Sequence, residues 1–191
     1  MKGLRLSLSG YYGYTFRNTE RKAGASYDDC HGALAIGSFG FELNRWNLIV
    51  RGNATYANLS DAERITAFCN AYPKHTQQDG SPSKHSPIGS SAYSFGGEAG
   101  YDVFNIFDAL RQKQKLYVFG RYEDYNTYAT GNKKVAYTYD HVKRMSFGIN
   151  YKPIPQIIVK AEWAKRYLDS AYNDEPSISL GVMFVGWFNR K

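Results

Sequence analysis

GALAIGSFGFELNRWNLIVRGNATY, residues 32–56, is the stretch whose reading decides the fold. Ala33, Ala35, Gly37, Phe39, Phe41 and Leu43 occupy every second position. After a break at Asn44-Arg45 the same rhythm resumes with Trp46, Leu48, Val50, Gly52, Ala54 and Tyr56, set against Asn47, Ile49, Arg51, Asn53 and Thr55. A period of two sends successive side chains to opposite faces of a strand, so this run predicts a β-hairpin with one apolar face and one polar face. Glu42 and Arg51 fall on the polar side. The tight connection is expected at Asn44-Arg45.

Outward from this hairpin the pattern recurs in both directions. A first strand is expected from about Gly3 to Phe16, with Leu4, Leu6, Leu8, Tyr12 and Tyr14 on one face and Arg5 on the other, and a charged loop follows from Arg17 to His31. A long loop is expected over 58–92, opening with a short helix from Asp61 towards Tyr72. Tyr93 to Val103 makes a fourth strand, Leu116 to Tyr122 a fifth, and Met145 to Tyr151 a sixth. Between them lie a short connection over Asn105–Lys115 that includes a helical turn and a loop over Asn126–His141. Pro153-Ile154-Pro155 is a rigid reversal, since neither proline can donate to a ladder. Ile157 to Trp163 is the seventh strand, Leu168 to Glu175 a loop, and Ile178, Leu180, Val182, Phe184 and Phe188 mark the eighth.

The sum is an all-β chain: an antiparallel transmembrane β-barrel meander of about eight strands, forming one outer-membrane barrel domain over 1–191. It either closes by itself or is a fragment of a larger barrel. Connections alternate in length along the chain, as in outer-membrane barrels with short periplasmic turns and longer external loops. Strands of about ten residues cross a bilayer at the usual tilt, whereas soluble sheets centre on about five or six. Aromatics cluster towards strand ends, with Tyr12, Trp46, Tyr56, Tyr93, Trp163 and Phe188 as the expected girdle at the headgroup level. A mean hydropathy of −0.52 agrees with this, because alternate strand residues and the loops are polar. No run of residues is long and apolar enough for a transmembrane helix.

The polar face carries Arg5, Glu42, Arg51, Glu98, Arg121, Glu123, Arg144, Lys160, Glu162 and Arg166. These would be costly in hydrocarbon, so they are expected inside the barrel as a lateral network or a pore lining. A soluble barrel or sandwich is the alternative, with the apolar face turned inward as core. The net charge of +7 comes from dispersed residues such as Lys133-Lys134 and Lys143-Arg144 and forms no basic stripe, and the aromatics lie opposite the cations. A nucleic-acid interface is therefore not expected. Cys30 and Cys69 lack CxxC spacing, and both a disulfide and two thiols remain open. His31, His75, His85 and His141 fall in expected loops, and no HExxH, GxSxG or phosphate-loop motif occurs; neither an enzyme nor a bound metal or cofactor is expected.

The run Tyr117-Val118-Phe119-Gly120-Arg121-Tyr122-Glu123, then Gly148-Ile149-Asn150-Tyr151-Lys152-Pro153 and Val159-Lys160-Ala161-Glu162-Trp163 resembles the C-terminal portion of porin and phosphate-selective porin-like outer-membrane β-barrels of Gram-negative bacteria. Asn173 to Val182 is similar as well, and Gly3-Leu4-Arg5-Leu6-Ser7 resembles an internal strand of such proteins. The resemblance implies a location in the outer membrane of a Gram-negative bacterium, with outer-membrane lipid and the barrel-assembly machinery as partners and with oligomerisation left open. Trp187-Phe188 is followed by Asn189-Arg190-Lys191, which displaces the expected terminal aromatic signal by three residues. The N-terminus carries no leader pattern before the first expected strand, so the sequence is either a mature chain or starts inside a longer precursor, and the second is expected. The expected function is passive diffusion of small hydrophilic solutes, anionic ones included; the alternative is a non-conducting anchor or surface-binding barrel.

Overall fold

The computed structural model describes residues 3–15, 30–71, 87–107, 114–130, 140–168 and 175–184. Eight strands form one sheet in sequence order: β1 (Leu4–Tyr14), β2 (Ala33–Arg45), β3 (Leu48–Leu59), β4 (Ser91–Asp102), β5 (Lys115–Thr130), β6 (His141–Ile154), β7 (Ile157–Leu168) and β8 (Ser177–Phe184). Every neighbouring pair is antiparallel. The expected all-β meander is therefore present, but it does not close. Among the described residues β1 pairs with β2 and β8 with β7, and no ladder joins β1 to β8. The sheet among the described residues is thus open, with β1 and β8 as its two edge strands.

Several boundaries differ from the sequence expectation. The β2–β3 turn is Trp46-Asn47, two residues later than expected, with φ of 55° and 62°. Two successive left-handed residues give the turn whose twist matches the flanking strands. Asn tolerates that conformation, and Trp46 is held there with its ring 4.1 Å from the Arg45 guanidinium carbon. Strand β5 runs on to Thr130, into the expected loop, because Ser91 on β4 pairs with Thr130 and Tyr93 with Asn126. Pairing across the ladder outweighs the weak strand propensity of that polar stretch. As a result, the simple alternation of connection lengths fails: the link over 103–114 is longer than those over 131–140 and 169–176. Its first residues form a 3-10 helix, Val103–Ile106, the helical turn expected there.

The helix expected in the long β3–β4 link is also present, as α1 (Ala62–Ala71). Ile65 and Phe68, three positions apart, face one way and are buried with Cys30, with Leu59 and Cys69 packed against them. Ser60 Oγ accepts a hydrogen bond from the Ala33 amide at 2.8 Å, and Thr66 Oγ1 one from the Ile88 amide at 3.0 Å. These bonds tie α1 to β2 and to the entry of β4. Cys30 and Cys69 are both thiols here. The sheet end that carries α1 is called the α1 end below; the Trp46-Asn47 turn marks the turn end.

Candidate pore-lining face

Antiparallel register turns the polar residues of separate strands into rows. Arg5 stands opposite Glu42, Glu42 opposite Arg51, Arg51 opposite Glu98 and Glu98 opposite Arg121. One row across five strands therefore alternates in sign at every step. Directly opposed side chains lie about 5 Å apart at Cβ, close enough for each to meet its neighbour. Glu98 is the centre: it accepts Arg51 Nε at 3.0 Å on one carboxylate oxygen and Arg121 Nε at 2.9 Å on the other. Its side chain is 12% exposed, against 54% for Arg51 and 34% for Arg121. The carboxylate is thus sheltered between two guanidiniums that reach out towards water.

A second cluster lies further along. Arg144 Nη2 donates to Glu162 Oε1 at 3.0 Å, and Arg144 Nη1 is 3.8 Å from Glu123 Oε2. Not every expected partner is engaged. Glu42 faces Arg5 without an ion pair within 4.0 Å, Arg166 stands opposite Arg144, a like charge, and Lys160 has no acidic partner among the described residues. The face is concave. Arg5 on β1, Glu98 on β4 and Lys160 on β7 all line one depression of about 490 Å³, together with Glu42, Arg51, Arg121 and Glu123. Ser146 Oγ and Asn150 Oδ1, on this same face of β6, are buried with no hydrogen-bond partner among the described residues. Buried polar atoms of this kind call for water.

The other face is apolar and exposed. Leu8 is 84% exposed, Leu180 80% and Ile178 77%, and Leu6, Phe39, Phe95, Phe147, Val159 and Val182 are exposed with them. A soluble barrel would have turned these residues inward; here they turn outward. Of the aromatic residues expected as a girdle, Tyr12, Tyr56 and Tyr93 lie towards the α1 end, Trp46 is on the opposite turn, and Trp163 stacks on Phe147 at 6.2 Å between centroids further along the sheet. Phe188 lies outside the described residues, as do His75 and His85. Among the described residues no group of three His, Cys, Asp or Glu side chains is placed to hold a metal ion.

No protein-family model matches the chain. No solved structure matches it either. The chain is similar to an uncharacterized protein of Aquifex aeolicus (strain VF5). Identity is 32% over 149 residues, covering 71% of this chain and 29% of that protein. The chain therefore spans less than a third of the length of the curated relative it matches.

Sequence reasoning missed two polar sites. Asp102, at the end of β4, is 2% exposed and accepts the Leu116 amide at 3.1 Å, which clamps the link into β5. Asp124 lies on the apolar face, buried, where His141 Nε2 is 3.0 Å from its Oδ1 and the Tyr122 hydroxyl donates at 3.3 Å. His141, expected in a loop, is the first residue of β6. The signal was available: Asp124, Lys143 and Lys165 fall at apolar-face positions of the alternation, where a charge needs a reason.

Proposed function

We propose that this chain is a sector of a larger outer-membrane β-barrel, with its concave charged face lining a water-filled channel for small hydrophilic solutes. The observation that carries this reading is the division of the sheet. A row of alternating Arg and Glu lines the hollow while long aliphatic and aromatic side chains stand exposed on the outside. In water such an outer face would drive aggregation. Against lipid it is stable, and the ionic row is then the side that needs water.

Two features support a larger ring over a chain that closes alone. Among the described residues no ladder joins β1 to β8, and edge strands of this length in a native protein call for a partner strand. The relative from Aquifex aeolicus is more than three times as long as the matching region, which leaves room for further strands. Six cations, Arg5, Arg51, Arg121, Arg144, Lys160 and Arg166, face four anions, Glu42, Glu98, Glu123 and Glu162, on this side of the sheet. The surplus of positive charge favours anionic solutes by raising their local concentration. The bilayer is the outer membrane of a Gram-negative bacterium, and the barrel is delivered by the assembly machinery of that membrane. Single-channel recording on the full-length protein tests this reading: discrete conductance with weak anion preference supports it, whereas no conductance, or strong cation selectivity, overturns it.

A further inference from the structure

We infer that the apolar face at the α1 end of β5–β7 carries a binding site for the phosphate group of an anionic lipid. Among the described strand residues of that face, charge lies at this corner and, at the turn end, on Arg45, whose guanidinium sits against the Trp46 ring. Asp124 and His141 account for each other through the 3.0 Å contact. Lys143 and Lys165 are different. Neither makes an ion pair among the described residues: Lys143 stands opposite Asp124, whose carboxylate His141 takes up, and Lys165 stands opposite Met145.

The register brings the two lysines together. Lys143 is opposite Tyr167 and Met145 is opposite Lys165, so Lys143 and Lys165 are diagonal neighbours about 7 to 8 Å apart at Cα. Two ammonium groups on flexible stems can converge on one phosphate from that spacing. Lys165 Nζ lies 5.0 Å from the Tyr167 ring centre, which keeps that stem along the sheet surface. The next pair on this face, away from the α1 end, is the stacked Phe147–Trp163 pair, followed by Ile149 and Ala161. Ammonium groups above an aromatic level above an aliphatic level match headgroup, interface and acyl chain in order. Asp124 would repel a phosphate, but His141 and Tyr122 hold its carboxylate and it is buried. The phosphate belongs to a lipid of the leaflet on the α1 side, because the site opens onto the lipid-facing surface and not into the channel.

This inference rests on the proposed lipid contact of the apolar face. Native mass spectrometry of the full chain extracted from vesicles of equal phosphatidylglycerol and phosphatidylcholine content would test it. The expected result is selective retention of phosphatidylglycerol by the wild type. Lys143→Gln with Lys165→Gln should reduce that preference by roughly 25-fold, about fivefold per lysine. Lys143→Arg with Lys165→Arg should keep it, and so should Lys152→Gln on the concave face of β6. A wild type without preference, or a Gln pair that keeps it, overturns the inference. If the Gln pair fails to fold, the Arg pair decides: loss of preference there overturns the site. A protein that inserts into vesicles yet shows no lipid preference sinks this inference alone, whereas one that does not insert sinks the barrel reading with it.

Discussion

Glu98→Gln is the substitution with the most to reveal about the charged row. Gln keeps the shape and can still accept from one arginine, but it removes the only negative charge between Arg51 and Arg121, each bonded to Glu98 at 2.9 to 3.0 Å. Hydrogen bonds to a charged group are worth about 1.5 to 3 kcal/mol each; discounted for the exposure of both arginines, the loss of folding stability comes to about 2 kcal/mol. In the proposed channel, the effect on conduction follows from Coulomb's law. A unit charge about 7 Å from a passing ion is worth about 0.6 kcal/mol in water before screening. Its removal helps anions and hinders cations alike, so after screening the anion-to-cation permeability ratio rises by about fivefold at 0.01 M salt and by only about 1.2-fold at 1 M. Reversal potentials across a planar bilayer at the two salt concentrations measure this, and urea refolding into detergent measures the stability loss. A ratio that stays unchanged at low salt, or that moves towards cations, refutes the placement of Glu98 beside the ion path.

Three further substitutions probe the rest of the sheet. Leu180→Arg alters a side chain already 80% exposed, so in a soluble protein it is nearly neutral, whereas on a lipid-facing strand it should cost about 2 to 4 kcal/mol, read as reduced refolding into vesicles. Gly148→Ala places a Cβ 2.5 Å from the Ala161 carbonyl oxygen and 2.7 Å from the Phe119 ring, while Gly181→Ala meets nothing within 4 Å. The first should lose about 1 to 3 kcal/mol and the second less than about 0.5, so equal urea midpoints would contradict the packing. Phe68→Ala opens the cluster of Cys30 and Ile65 around α1. Maleimide labelling of Cys30, which is 0% exposed, should then accelerate by at least about tenfold with the strand signal unchanged; a cluster that did not shield the thiol would leave the rate as it was.

The faces of the strands were legible because most positions alternate: Arg5, Glu42, Arg51, Glu98, Arg121, Glu123 and Lys160, from six different strands, line one depression. Which charges meet was not legible. Pairing of Glu42 with Arg51 depends on the turn position, and the turn sits on Trp46-Asn47, a pair without glycine that local propensity did not single out. The extension of β5 to Thr130 was hidden for the opposite reason, since Asn126 to Thr130 is polar and reads as a loop until β4 provides a ladder for it. Alternation assigns a side but not a neighbour, so Asp124 and His141, from separate strands, could not be seen as a pair. Closure was also beyond reach, because eight strands of this pattern satisfy a complete ring and an arc of a larger one equally.

The sign alternation across β1 to β5 bears on how such a sheet is built. A shift of one residue between two strands would turn every side chain over and bring the apolar row onto the charged face. A shift of two residues is subtler, because it keeps greasy and wet sides where they were. It would nevertheless set Glu98 against Phe119 or Glu123 in place of Arg121, dissolving the ionic match. The charge sequence thus singles out one register among those that leave the two faces unchanged.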